Sequence, residues 1–264
     1  MTVRPWAALT APDFDTLDEE RTVAVLPLAA IEQHGPHLAT GTDALINEGL
    51  WAETAPRIAP DLDVLTLPLQ AIGKSDEHIA SPGTLHVPAE TLIAHWTAIG
   101  RSVARAGVRK LLLLNSHGGN SEVAGIVART LRVEAGMLVI ATSWARMGYP
   151  DGLFEADEIR FGIHGGAIET ALMLHLAPAC VRMDRAAPAP TLSEAMAREN
   201  AVLEGAGRNG FAWIAQDLHP SGVCGDPTRA TAEMGRQAAA HASARMATLL
   251  GEIAAMPLSR LHPL

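Results

Sequence analysis

The strongest constraint in this chain is an alternation. Four short runs, RTVAVLPLA (21–29), DVLTLPLQ (63–70), KLLLLNS (110–116) and MLVIATS (137–143), are rich in Val, Ile and Leu and apolar on both faces. Strands read this way when helices cover both sides of their sheet, whereas a half-exposed strand alternates apolar with polar residues. Helical stretches are predicted over roughly 44–57, 88–106, 120–134, 166–176, 191–204 and 228–253. The second of these begins beside Pro88 and stops at Gly107, the usual asymmetry of helix ends. Strand–helix–strand repetition predicts an α/β fold with a mostly parallel central sheet sandwiched between helices. A length of 264 residues, 48% of them apolar, suits one domain over residues 1–264.

Charge and cysteine content narrow the function classes. A formal charge of −9 gives no basic face for nucleic acid. Two cysteines, Cys180 and Cys224, make no C-x-x-C pair and no disulfide framework, so a reducing cytoplasm is expected. The first twenty residues lack a charged start followed by an apolar stretch, and no apolar run reaches the roughly 18 residues of a membrane span. The expected partner is a small-molecule substrate, with neither nucleic acid nor membrane involved. Two connections stand out as irregular, 144–165 and 216–231, and long connections in compact domains are often functional.

In open α/β sheets ligands sit beyond the carboxyl ends of the strands. Three polar clusters fall there: Glu32, His34, His37 and Asp43 after the first run, Asn115, His117 and Asn120 in NSHGGN, and His164 to Thr170 in HGGAIET. Polar groups this dense are costly to bury unless something pairs with them. Carboxylates and imidazoles without thiolates suit a divalent ion such as Zn, Mn or Fe. Taken singly, each residue has a plainer role. A histidine after a strand is usually a hydrogen-bonded core residue, Asp43 could cap a helix, and Glu169 could lie on a helix face. The convergence of three clusters in one crevice is what favours a metal site. No nucleophile elbow, dinucleotide fingerprint or P-loop is present. His95, His175 and His241 fall in helical stretches and are expected to be structural or on the surface.

LPLAAIEQHGPHLATGTDA, NSHGGN and HGGAIET resemble the signature segments of the creatininase family of metal-dependent amidohydrolases, and GKSDEHIASPGTL and GVCGDPTRAT resemble further family segments. The resemblance implies a three-layer α/β/α fold, two divalent metal ions per chain and a homo-oligomer, commonly a hexamer. It implies Glu32, His34, Asp43 and His117 as metal ligands, with Asp43 bridging, and His164 as a catalytic general acid or proton shuttle. The family's creatininase carries a ligating Glu two residues after the second-motif His, where this chain has Gly119. Glu169 is therefore expected as the fifth ligand or a catalytic base. Arg160 and Phe161 stand where creatininase has a Trp-Asp pair, which implies another substrate. Ser75, Glu77 and His78 lie on the segment that approaches substrate in the family, and Trp144, Arg146, Tyr149 and Phe161 are candidates for selectivity. His37, Asn115 and Asn120 are expected to support the ligands from behind. The implied activity is hydrolysis of an amide-type C–N bond, expected to be cyclic. The alternatives are a peptide or formamide substrate, or a metal-binding protein without enzymatic activity.

Overall fold

The computed structural model describes residues 3–263. Its sheet has five parallel strands: β1 (Val3–Pro5), β2 (Val23–Leu28), β3 (Val64–Thr66), β4 (Lys110–Asn115) and β5 (Leu138–Ser143), in the order β1-β3-β2-β4-β5. Every neighbouring pair is parallel, with Val23 opposite both Val64 and Lys110, and Asn115 opposite Ser143. The helices are α1 (Thr42–Thr54), α2 (Ala89–Arg105), α3 (Ser121–Ala135), α4 (Ala156–Phe161), α5 (Ala167–Leu176), α6 (Leu192–Glu199), α7 (Ala215–Leu218) and α8 (Ala232–Ala255).

Although all six residues of β2 and of β4 are buried, each strand still sorts its side chains by face. Val23, Val25, Leu112 and Leu114 point into a core shared with α1, α5 and α8. Ala24, Leu26, Leu28, Leu111 and Leu113 point into a second core with Leu92 and Trp96 of α2 and Val127 and Leu131 of α3. The three expected layers are therefore α1/α5/α8, the sheet, and α2/α3.

Several boundaries differ from expectation for local reasons. The run 63–70 yields only three strand residues, because Pro68 has no N–H to continue the ladder. Edge strand β1 is too short to be read from sequence, and the irregular stretch 144–165 contains α4. The helix predicted from 228 is preceded by a separate 3-10 turn, Pro227–Arg229, capped by the Asp226 side chain, which accepts from the Thr228 N–H. The long helix starts afresh at Ala232 behind its own cap, Thr231. No helix among the described residues is long and apolar enough to cross a membrane.

Candidate metal centre and cleft

The carboxyl ends of β2 and β4 bring the first two clusters together. Asp43 is not a helix cap: Gly41 holds that position and Asp43 sits inside the first turn of α1. One turn later Asn47, fully buried, donates its amide hydrogens to the Leu28 and Leu114 carbonyls at 2.9 and 3.1 Å. Asn47 thus pins α1 to both strand ends and fixes where Asp43 stands. Sequence reasoning missed it, although an Asn four residues after an acid at a helix start was a usable signal.

Asp43 is the meeting point of two sets. Its Oδ2 lies 3.3 Å from His117 Nδ1, which is also 3.3 Å from Glu32 Oε1. Its Oδ1 lies 3.3 Å from His34 Nε2, which is 3.7 Å from Glu169 Oε2. Donor atoms of Glu32, Asp43 and His117, and those of His34, Asp43 and Glu169, lie within 4.8 Å of one another, as do those of Glu32, His34 and His164. Glu32 Oε2, His34 Nε2 and Asp43 Oδ2 are buried with no hydrogen-bond partner. Leaving three such atoms unpaired is expensive. The donor set, carboxylates and imidazoles converging from three segments, fits divalent ions.

Electrostatics agree. Burial opposes a charge on His34, yet the Asp43, Glu169 and Glu32 carboxylates outweigh it and hold its pKa up to about 10. Burial opposes a charge on His117 too, and Glu32 and Asp43 hold it well above the ordinary imidazole value. Burial works against the Asp43 carboxylate, but His34 and His117 keep it below the usual range. Glu169 is pushed up to about 7 by burial, with His34 pulling the other way and Asp43 adding to the rise. Without an ion, the carboxylates keep protons on two imidazoles. The same demand for positive charge is what a cation meets.

The surrounding polar groups hold the set in place. Asn115 Oδ1 accepts from the His117 N–H at 3.1 Å, and Asn120 joins Ala29 O to the Lys74 N–H at 3.0 Å each. His117 Nε2 donates to Lys74 O at 2.7 Å, with Ser75 Oγ at 3.4 Å, so its Nδ1 is left to face the carboxylates. His37 is buried, with Nε2 3.0 Å from Thr170 Oγ1 on α5. Glu169 accepts from the Gly165 N–H at 2.6 Å. These contacts tie His37, Asn115 and Asn120 to main chain, to Thr170 and to one another. They also show why position 119 carries no acid. A Cβ there would stand 2.2 Å from Glu77 Oε1 and 2.4 Å from Lys74 O.

His164 reaches the centre through an antiparallel bridge to Cys224, whose N–H donates to His164 O at 2.7 Å. Its Nε2 lies 2.6 Å from Gln33 O and its Nδ1 3.6 Å from Glu32 Oε1. The His78 ring stacks on it at 4.2 Å and places Nε2 3.3 Å from Glu32 Oε1. Burial, together with His34 and His78, drives the His164 pKa well below the ordinary value, and burial takes His78 down to about 4. Both rings are neutral near pH 7.

Glu32, Glu77, His78, His117 and His164 line an open cleft of about 980 Å3. Its far wall is Phe211, Trp213 and Ile214 from the connection between α6 and α7, which sequence reasoning left unassigned. Two selectivity candidates are corrected. Trp144 is buried in the α1/α5/α8 core, donating its indole N–H to Asn47 Oδ1 at 3.2 Å. Phe161 lines a separate depression with Pro188, Pro190 and Arg229, its ring covered by the Arg160 guanidinium at 4.8 Å. The Trp144 bond joins positions 97 residues apart, whereas Phe161 is held by its own chain neighbour. Tyr149 packs edge-on against Phe154 at 5.2 Å, and Arg146 is exposed.

The family model for creatininase, creatinine amidohydrolase, matches residues 7–250. The chain belongs to the creatininase family. The mycofactocin precursor peptide peptidase of Mycobacterium tuberculosis (strain H37Rv, ATCC 25618) is 34% identical to it over 224 residues, covering 81% of this chain and 78% of that protein. The creatinine amidohydrolase of Pseudomonas putida is 32% identical over 188 residues, covering 64% of this chain and 69% of that protein. Among solved structures, a creatininase in its Mn form aligns with a TM-score of 0.74 at 24% identity, covering 98% of this chain and 99% of that one. A Zn–Zn type mutant creatininase aligns with a TM-score of 0.74 at 25% identity, covering 98% of each chain. Creatininase neighbours thus carry Mn or Zn, and this family member has candidate ligand sets for such ions.

Proposed function

We propose that this chain is a metal-dependent amidohydrolase that cleaves an amide-type C–N bond of a small molecule, with two divalent ions of the Zn, Mn or Fe kind per chain. The observation that carries this reading is the pair of ligand sets meeting at Asp43, with orphaned buried donor atoms, beside an open cleft that Glu32 and His117 line. Glu32, Asp43 and His117 would hold one ion, and His34, Asp43 and Glu169 the other. Ions held there would polarise a carbonyl and make water a competent nucleophile near neutral pH. His164 serves as the proton carrier, because its Nε2 is engaged with Gln33 O and Nδ1, 3.6 Å from Glu32 Oε1, is the nitrogen left to take a proton. It receives a proton from the attacking water and returns it to the departing nitrogen. His78 and the Glu77 carboxylate, both on the cleft wall, would contact and orient the substrate.

A second substrate class is favoured by a specific feature. A cleft of about 980 Å3 with an aromatic far wall is larger than a single small ring needs and suits an extended chain. The similarity to peptide peptidases supports the same alternative. A closed, purely structural metal site is disfavoured, since three side chains per ion leave positions for water and substrate.

The test is a screen of lactams, hydantoins, formamides and short peptides with the Mn- and Zn-loaded protein. Turnover of peptides alone would remove the cyclic amide. In the same assay His164→Gln is expected to lose activity with metal content intact, whereas parallel loss of metal would make His164 a ligand beside Glu32 and His34.

A further inference from the structure

Gln33 stands between two proposed ligands, Glu32 and His34, and its side chain is buried beneath the cleft. Its amide orientation is fixed by backbone groups at both ends. The Gly35 N–H can only donate, and it meets Oε1 at 2.8 Å; the Gly222 carbonyl can only accept, and it lies 3.1 Å from Nε2. Gly222 is needed for this approach: its φ is +73°, and a Cβ there would stand 2.5 Å from Gln33 Nε2.

With the amide fixed, its hydrogens can be counted. Nε2 has two and is near three groups: His78 Nδ1 at 2.9 Å, Gly222 O at 3.1 Å and His164 Nε2 at 3.2 Å. His164 Nε2 is only 2.6 Å from the Gln33 main-chain carbonyl, so that nitrogen carries a hydrogen and accepts none. The amide hydrogens therefore go to Gly222 O and His78 Nδ1. An accepting Nδ1 places the His78 hydrogen on Nε2, 3.3 Å from Glu32 Oε1. His164, protonated on Nε2, turns a bare Nδ1 toward the same oxygen at 3.6 Å.

We infer that Gln33 is a positioning residue that sets opposite polarity in two stacked cleft histidines, leaving His164 Nδ1 free to accept a proton and His78 Nε2 bearing one to donate. The side chain fixes His78, and the main-chain carbonyl of the same residue fixes His164. This rests on the reading of the cleft as a hydrolytic site. It explains how two histidines with rings 4.2 Å apart avoid competing for one role. One returns protons, and the other supplies a fixed donor to a substrate oxygen or to Glu32.

The experiment compares wild type, Gln33→Glu and Gln33→Met, each Zn-loaded and 15N-labelled at histidine, by long-range 1H–15N spectra alongside steady-state kinetics and zinc analysis. A carboxylate at position 33 can only accept, so His78 is expected to switch to the Nδ1–H form, and Gln33→Met is expected to leave it mixed. Both variants should lose about 10–100-fold in kcat with KM changed little and zinc content unchanged, the size usual for an outer partner of a metal site. An unchanged His78 pattern in Gln33→Glu, or zinc lost in proportion to activity in both variants, overturns the inference. A switched tautomer in a protein whose wild type hydrolyses no amide would instead sink the hydrolase reading and leave the role of Gln33 standing.

Discussion

The two ends of β4 bury polar groups to the same depth and treat them in opposite ways. At the amino end Lys110 is fully buried, and its ammonium donates to Ala254 O and Met256 O at 2.7 Å each. It closes the carboxyl terminus of α8, where carbonyls lack partners and a cation is favoured. At the carboxyl end Asn115 and His117 are joined by Glu32, His34 and Asp43, and three buried donor atoms stay unpaired. One end is satisfied from within the chain. The other leaves unpaired carboxylate and imidazole atoms facing one another, and it is that convergence of like-purposed groups, rather than burial alone, that sets the two ends apart.

Breaking the open end should give the largest effect. Asp43→Ala removes the residue common to both ligand sets. It is expected to lose most bound metal and to cut kcat/KM by on the order of a thousandfold, beyond the 10–100-fold typical of an outer partner. Metal analysis with kinetics checks this. A variant retaining both metal and activity would refute the assignment.

The next effect is on pH. In the ion-free chain His34, with its pKa near 10, and His117 are protonated at pH 7, and an incoming ion must displace both protons. Metal loading at pH 7 should release about two to three protons, Glu169 adding to the two imidazoles, and affinity should weaken by at least about a hundredfold per unit fall in pH. Proton release in weakly buffered titrations measures it directly. The ion-free protein should show the reverse dependence in its own stability. A folded pKa raised above the unfolded 6.5 stabilises fully below 6.5, and that contribution is lost as pH rises through about 10. Glu169, raised from 4.5 to about 7, adds a loss of the same sign between those values. Thermal melts of the chelated protein from pH 6.5 to 10 test the His34 contribution.

The closed end should respond only in stability. Lys110→Met keeps the side-chain length but leaves two helix-terminal carbonyls without a donor, a cost of about 1–3 kcal/mol. Metal content and kcat per folded molecule should not change. Denaturant melts and zinc analysis on one sample separate the two ends of the strand.

What the sequence disclosed follows the same division. The open end is written in local motifs, because ligands to an ion must leave strand ends at close spacing. Glu32, His34, Asp43 and His117 follow β2 and β4 in this way, whereas His164 and Glu169 lie on the α4–α5 connection and on α5 and were joined to them through the family resemblance. The α/β layering was legible in four doubly apolar runs. What escaped depends on distant chain. The carbonyls that satisfy Lys110 are 144 and 146 residues away, the aromatic cleft wall comes from the α6–α7 connection, and Gln33 gains its role only through Gly222. No spacing within KLLLLNS shows that its lysine is internal.

Trp144 gives the finest test of this division, since its position at the end of β5 pointed to the cleft and its contacts point to the core. The ring packs among core residues and donates to Asn47 Oδ1, and Asn47 in turn holds the two strand ends from which Glu32 and His117 emerge. Trp144→Phe keeps most of the apolar contact and removes the N–H. The expected loss is about 1 kcal/mol of stability, the net worth of one hydrogen bond. KM should be unchanged because the ring meets no substrate, and any fall in kcat should be matched by weaker metal retention through Asn47. A raised KM with normal metal affinity would return Trp144 to the substrate wall and would mean that the cleft extends beneath α1.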